Sequence, residues 1–206
     1  MIAGPSGVGK GTVVHRLLEL VPDLYVSVSA TTRRPRPGER DGVEYHFLGD
    51  DEFDRLIAEG ELLEWAEIFG HRSGTPAGPI REVRAEGRDA VLEIDVQGAG
   101  IVRRMAPDAV LILLVPPSLD ELERRLRTRA TEDEDKLARR LARATEEMDQ
   151  HGWFDHVVVN DDLERASSQV AAIIGSVRPH PVPERVSDAV RDDDPGAGSD
   201  PEDPTP

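Results

Sequence analysis

Three stretches of the chain are almost unbroken in apolar character: DAVLEIDV at 89–96, AVLILLV at 109–115 and HVVVN at 156–160. They are short and rich in β-branched residues, the composition of strands covered on both faces in a parallel sheet. Around them the apolar residues recur every three or four positions instead. TVVHRLLELVPD places Val14, Leu17, Leu18 and Val21 on one helical face, and Pro22 ends the run. PSLDELERRLRTR opens with Ser118 and Glu121 in capping-box spacing and aligns Leu119, Leu122 and Leu126. DKLARRLARATEEM repeats the helical spacing with Leu137, Leu141, Ala144 and Met148, and SSQVAAIIGSV with Val170, Ile173, Ile174 and Val177. Such alternation of strand and helix predicts an α/β fold, a parallel sheet core flanked by helices.

Residues 33–84 break the alternation. RRPRPGERDGVEYHF is rich in turn formers, DDEFDRLIAEG reads as a short helix and ELLEWAEI as a strand, which predicts a small α+β insertion carried by the core. The last stretch, 179–206, holds eight acidic and two basic residues, seven of the sixteen prolines and no aromatic residue. It cannot bury enough apolar surface to offset its ordering entropy and is expected to be a disordered acidic tail.

Composition then narrows the function classes. A net charge of −16 argues against a nucleic-acid partner. There is no run of about 18 apolar residues, so no membrane span is expected. With no cysteine, disulfides and thiolate metal sites are excluded, and a cytoplasmic location fits. Of the 25 basic residues 23 are Arg, and the lysines are Lys10 and Lys136. A lysine kept at position 10 in so arginine-rich a chain is informative.

Lys10 lies in Gly4-Pro5-Ser6-Gly7-Val8-Gly9-Lys10-Gly11, a glycine, four residues, then Gly-Lys, directly ahead of a helix. The glycines let backbone N–H groups turn inward around a phosphate, the helix N-terminus adds partial positive charge, and the ammonium reaches the outer phosphates. The pattern is that of a phosphate loop, as against a glycine-rich turn capping an ordinary helix, and it predicts a P-loop NTPase fold. The strict pattern has Ser or Thr after the lysine; here Gly11 stands there and Thr12 follows, an ending similar to adenylate-kinase loops. Thr12, or otherwise water and the phosphates, is then expected to hold the Mg²⁺ that accompanies ATP. Such a loop hangs from a buried strand, yet only Met1, Ile2 and Ala3 precede Gly4. A truncated first strand is therefore expected. Three or four missing inward side chains at about 1.5–3 kcal/mol each rival the whole stability of a domain, about 5–15 kcal/mol. On that ground the natural product is expected to start upstream of Met1.

In SVSATTRRPRPGERDGVEYHF, Arg33 and Arg36 stand among stiffening prolines, with Tyr45 following. Guanidinium forks suit bidentate contact with a phosphate monoester, and a tyrosine hydroxyl can complete the cage. Taken with GPSGVGKGT, GELLEWAE, LEIDVQG, LILLVPPS, RLRTRATE and VVVNDDL, in this order along 1–178, the chain closely resembles the guanylate kinases.

The resemblance implies a kinase domain over 1–178, with core 1–32, 85–120 and 145–178, a GMP-binding insertion at 33–84 and a lid at about 121–144. It implies ATP and GMP (or dGMP) as substrates. Ser29, Arg33, Arg36 and Tyr45 would bind the GMP phosphate. Glu64 would accept from guanine N1–H and the 2-amino group, Thr75 would contact O6, and Asp95 would lie near the GMP end and the metal. Gly4 to Thr12 would bind ATP, with Asn160 on the adenine side. Lys10, Arg125, Arg129 and Arg140 would neutralise the transferring phosphoryl group. Ser73 stands where the family often has a phosphate-binding tyrosine, so that contact is expected to be lost or to move to His71 or Arg72. Two other readings stay open on the residues alone: a kinase of another monophosphate or phosphorylated sugar, and a guanylate-kinase-like binding module without catalysis.

Overall fold

The computed structural model describes residues 1–68, 70–129 and 134–177. The first half of the chain forms β1 (Ile2–Ala3), α1 (Lys10–Leu20), β2 (Tyr25–Val26), β3 (Ala30–Thr31), β4 (His46–Phe47), α2 (Asp50–Ala58), β5 (Leu62–Ile68), β6 (His71–Pro76) and α3 (Ala77–Ala85). The second half forms β7 (Ala90–Val91), α4 (Val96–Met105), β8 (Ile112–Val115), α5 (Leu119–Arg129), α6 (Glu134–Asp149), β9 (His156–Val159) and α7 (Leu163–Val177). The acidic tail expected at 179–206 and residues 130–133 between α5 and α6 lie outside the described residues.

β1 pairs in parallel with β8 through Ile2–Ile112 and Ala3–Leu113, and β8 pairs in parallel with β9. On its other side Ile2 bridges Glu93, just past β7, and β7 pairs in parallel with β2. The order across the sheet is therefore β2, β7, β1, β8, β9. The strand expected to be truncated is present as two residues, and both of its edges are occupied: Ile2 donates to Leu92 O at 2.9 Å, and Ile112 donates to Met1 O at 2.9 Å. Ile2 and Ala3 are fully buried. Two residues carry the role because β8 and the 91–94 segment supply the longer walls.

The near-continuous apolar runs are explained by burial on both faces. Ile112 and Leu114 pack with Val13, Val14 and Leu17 of α1 and Val170 of α7, whereas Leu111 and Leu113 pack with Ile80 of α3 and Val96, Ala99 and Val102 of α4. Each such side chain contributes about 1.5–3 kcal/mol. HVVVN departs from this rule. Val158 is buried, but Val157 and Val159 are 48% and 42% exposed, because β9 is an edge strand covered on one face.

A second sheet, ordered β4, β3, β6, β5, occupies the irregular stretch and recruits β3 from just before it. β3 and β4 run parallel; the β3–β6 and β5–β6 pairs are antiparallel. Two helices escaped the sequence pattern, α3 and α4; α4 carries Gly98 and Gly100, which weaken its intrinsic helix signal. Farther along, Leu122 and Leu126 of α5 pack with Leu137 and Ala144 of α6, while Leu119 is exposed. Ser118 accepts from the Glu121 N–H at 3.1 Å as expected of its cap, but the Glu121 carboxylate turns to Arg124 and Arg125 instead. Among the described residues no helix is long and apolar enough to cross a membrane.

Candidate active site

The glycine loop leaves β1 at Gly4 and enters α1 through Gly9. Gly9 takes φ 99°, left-handed backbone that favours glycine, and a Cβ there would meet Asn160 Nδ2 at 2.6 Å. Lys10 Nζ folds over the loop and donates to Gly4 O at 2.7 Å and Pro5 O at 3.3 Å. Val8 points inward into the core, so its carbonyl turns back toward the end of β9. There it receives Asn160 Nδ2 at 2.8 Å and Arg125 Nη1 at 3.2 Å, while Arg125 Nη2 donates to Asn160 O at 3.0 Å. In this structure Asn160 and Arg125, expected at the adenine and at the transferring phosphoryl, are struts behind the loop and do not line the cleft.

A cleft of about 270 Å³ opens in front of the loop. Gly4, Ser6, Gly7, Gly9, Lys10 and Gly11 line one end, and Ser29, Arg33, Arg36 and Tyr45 line another. Glu64 and Asp95 line it between β5 and α4, and Arg140, Arg143 and Glu147 line it from α6. Thr12 is exposed and outside this lining. Glu93 lines the cleft instead, and its Oε2 lies 3.4 Å from where a Cβ on Gly11 would be. A Cβ at position 11 would meet that carboxylate in ordinary contact, so Glu93 stands beside the position where other phosphate loops carry a hydroxyl.

At the arginine end, Glu39 holds the Arg33 fork with both oxygens, at 2.9 and 3.0 Å, and accepts the Arg36 backbone N–H at 2.7 Å. Burial alone would raise the Glu39 carboxyl, but these bonds outweigh it and hold it below its ordinary value. The Arg33 guanidinium also lies 5.2 Å from the Tyr45 ring centre and 5.6 Å from that of Phe47. Burial, with Glu93 nearby, pushes the Tyr45 hydroxyl up. Of the two substitutes for the missing tyrosine, Arg72 is engaged elsewhere: it pairs with Asp50 and Asp54 of α2 and lies over Phe53. His71 and Ser73 both line the cleft, two residues apart on the same face of β6. Ser73 Oγ donates to Ala30 O at 3.2 Å.

The β5–β6 register sets Glu64 opposite Thr75, and Thr75 Oγ1 donates to Glu64 Oε1 at 2.6 Å. Both residues are buried. Burial pushes the Glu64 carboxyl up to about 7; the Thr75 bond opposes this and neighbouring Asp95 adds to it. Asp95 caps α4, its Oδ1 accepting the Gly98 N–H at 2.7 Å. Gly98 separates the two carboxylates: a Cβ there would lie 2.6 Å from Glu64 Oε2 and 3.2 Å from Asp95 Oδ1. The other Asp95 oxygen accepts from Arg143 Nη2 at 2.9 Å, and Arg143 Nε donates to Glu147 Oε1 at 2.7 Å. Glu147 is raised by its own burial, against the pull of Arg143.

Among the sequence candidates, the cleft thus gathers the loop glycines, Ser6, Lys10, Ser29, Arg33, Arg36, Tyr45, Glu64, Asp95 and Arg140, with Thr75 directly behind Glu64. Pro5 and Val8 are buried supports. Arg129 ends α5, and its side chain lies outside the described residues. Sequence reasoning missed Glu39, Glu93, Gly98, Arg143 and Glu147. Two periodicities point to some of them: Glu93 is two residues before Asp95, and Arg140, Arg143 and Glu147 recur at helical spacing along one face of α6.

The chain that carries this cleft has relatives among known proteins. The guanylate kinase family model matches residues 1–177. A guanylate kinase of Synechococcus sp. (strain CC9902) is 54% identical over 170 residues, covering 82% of this chain and 91% of that protein. One of Symbiobacterium thermophilum is 50% identical over 174 residues, covering 84% and 82%. The crystal structure of guanylate kinase from Anaplasma phagocytophilum superposes with a TM-score of 0.74 at 33% identity, over 88% of this chain and 87% of that one. With a family match along its whole described length and relatives at half identity, the chain belongs to the guanylate kinase family.

Proposed function

We propose that the cleft transfers the γ-phosphoryl group of ATP to GMP, ATP + GMP ⇌ ADP + GDP. The observation that carries the reading is Glu64: a buried carboxylate, held by Thr75, in the same cleft as Lys10 at one end and Arg33, Arg36 and Tyr45 at another. The Watson–Crick edge of guanine offers N1–H and two 2-amino N–H groups, which carboxylates accept; adenine offers an acceptor at N1 and is refused. Glu64 would take N1–H and the inner amino hydrogen, and Asp95, across Gly98, the outer one.

A GMP phosphate oxygen attacks the γ-phosphorus, the bond to the ADP oxygen breaks, and no protein nucleophile is needed. The protein aligns the two nucleotides and neutralises charge. The loop N–H groups and Lys10 would hold the ATP phosphates; Arg33, Arg36, Tyr45 and Ser29 the GMP phosphate. Arg140, from α6, reaches the cleft and would face the transferring group with Arg129, and α5–α6 would act as the lid that excludes water. Mg²⁺ suits the oxygen donors present: Glu93 beside Gly11 would support it together with phosphates and water, and it would supply charge neutralisation between the phosphates.

A coupled assay with GMP, AMP, dTMP and CMP tests the reading. GMP should be turned over far faster than the others, and Glu64→Gln should cost GMP at least about a hundredfold in kcat/KM. Equal use of AMP by the wild-type protein would rule the assignment out.

A further inference from the structure

Arg143 has no place in the division of labour above, yet its guanidinium joins two carboxylates of the cleft. Its Nη2 donates to Asp95 Oδ2 at 2.9 Å and its Nε to Glu147 Oε1 at 2.7 Å. All three side chains are largely shielded, with 21% exposure for Arg143, 13% for Asp95 and 8% for Glu147. The guanidinium is planar, so two fixed partners define its plane, and each bond it makes fixes the carboxylate that accepts it. Asp95 is thereby held at both oxygens, by the Gly98 N–H on one and Arg143 on the other. A carboxylate has about four acceptor positions. Two are used, and the free ones are aimed by the groups that hold the first two.

That aim has a consequence on the far side of Gly98. Glu64 Oε2 and Asp95 Oδ1 both lie within about 3 Å of one point, where a Cβ on Gly98 would be. A base edge reaching Glu64 therefore passes Asp95. Guanine brings three N–H groups to that edge. Glu64, already accepting from Thr75 at Oε1, can serve two of them, and the third needs Asp95. Hypoxanthine lacks the 2-amino group and makes no use of Asp95.

We propose that Arg143 is a positioning residue that holds the Asp95 carboxylate for the guanine 2-amino group, so that discrimination of GMP from IMP depends on a side chain of α6. The inference rests on the reading of Asp95 given above. Arg143 belongs to the helix that also carries Arg140, so recognition of the base and placement of Arg140 share one element.

The test is calorimetric Kd for GMP and for IMP, without ATP or metal, on the full chain and on Asp95→Asn, Arg143→Leu and Arg143→Lys. Loss of one hydrogen bond to a charged group corresponds to roughly ten- to a hundredfold in affinity. Arg143→Leu should weaken GMP by that factor and leave IMP within about threefold, so the ratio of the two constants collapses toward that of Asp95→Asn. Arg143→Lys keeps a cation beside Glu147 but loses the planar fork; it should fall between, at roughly a third to a tenth of the wild-type ratio, whether or not the Leu variant folds. Turnover of GMP at saturation should stay within about threefold in the Lys variant. If Asp95→Asn collapses the ratio and neither Arg143 variant lowers it, Arg143 does not position Asp95. If GMP and IMP weaken equally in the Arg143 variants, the residue only supports α6. If Asp95→Asn leaves the ratio unchanged, the reading of Asp95 fails, and the inference falls with it.

Discussion

Asn160 and Arg125 converge on the carbonyl of Val8, from 2.8 and 3.2 Å, and Arg125 also donates to the backbone carbonyl of Asn160. The three groups lock the glycine loop to the end of β9. After Asn160→Ala the Val8 carbonyl still has Arg125, and after Arg125→Met it still has Asn160, so the full cost of an orphaned buried acceptor, about 1–3 kcal/mol, falls only on the double variant. The two costs should therefore not add. We expect Asn160→Ala and Arg125→Met each to raise KM for ATP and lower the melting temperature modestly, and the double variant to be clearly more impaired than the sum of the two. Additive losses in urea midpoint, with a kcat effect confined to Arg125→Met, would return Arg125 to the phosphoryl group alone.

Glu64 makes GMP binding depend on pH. Its carboxyl is raised by burial first and by Asp95 next, to about 7, and guanine requires the ionised form. The Kd for GMP should weaken about tenfold per unit as pH falls from 7 to 5, beyond any contribution of the phosphate itself. In Glu64→Gln the extra slope should vanish. Stability runs the other way. The folded value lies above the ordinary 4.5, so between about 4.5 and 7 the folded state keeps a proton that the unfolded chain has lost. Stability therefore falls as pH rises through that window, by up to about 3 kcal/mol. Urea midpoints of wild type and Glu64→Gln from pH 4.5 to 7.5 check the sign; parallel curves would show that Glu64 titrates normally.

Gly98 deserves a substitution of its own, because its missing side chain is the space between the two carboxylates. In Gly98→Ala the new Cβ would meet Glu64 Oε2 at 2.6 Å and Asp95 Oδ1 at 3.2 Å. Helix propensity alone would favour alanine by about 1 kcal/mol. We expect the melting temperature to change little and KM for GMP to rise at least about tenfold, with KM for ATP unaffected. A variant with wild-type GMP kinetics would mean that Glu64 can withdraw without cost.

Gly98 also shows where the sequence was readable and where it was not. The parallel core was legible because double-sided burial writes itself as unbroken apolar runs, as at Leu111 to Leu114. The phosphate loop and the Arg33–Arg36–Tyr45 group were legible because their chemistry is local in the chain. Helix α4 was not, because Gly98 and Gly100 dilute its propensity, and the reason for Gly98 lies on another element, at Glu64. Arg143 was not, because Asp95 is 48 residues away and only the fold brings them together. Val159 was misread because pattern reports apolarity and not which strand is the edge. Glu93 was not legible for a similar reason: the loop motif sees its own residues, and the carboxylate beside Gly11 comes from the neighbouring strand end.

The two-residue strand β1 carries the last prediction. In a chain that begins at Met1, the α-ammonium donates to Val110 O at 2.6 Å, and burial depresses its pKa from 8.0 to about 6, with Asp155 opposing the shift. Between those values the unfolded chain holds a proton that the folded one has released. Stability therefore rises with pH across 6 to 8, reaching its full value above 8 and falling away as pH drops through 6. Two units correspond to about 2.7 kcal/mol at most. Extending the chain upstream by three apolar residues replaces the ammonium with a peptide N–H, which can bond Val110 O without carrying a charge. The extended protein should be more stable than the one starting at Met1 throughout, and the gap between them should narrow from pH 6 to pH 8. Glu64 pulls in the opposite direction below pH 7 but is common to both proteins, so the difference in urea midpoint isolates Met1. A gap that stays constant from pH 6 to pH 8 would show that the terminal amine titrates as it does in water.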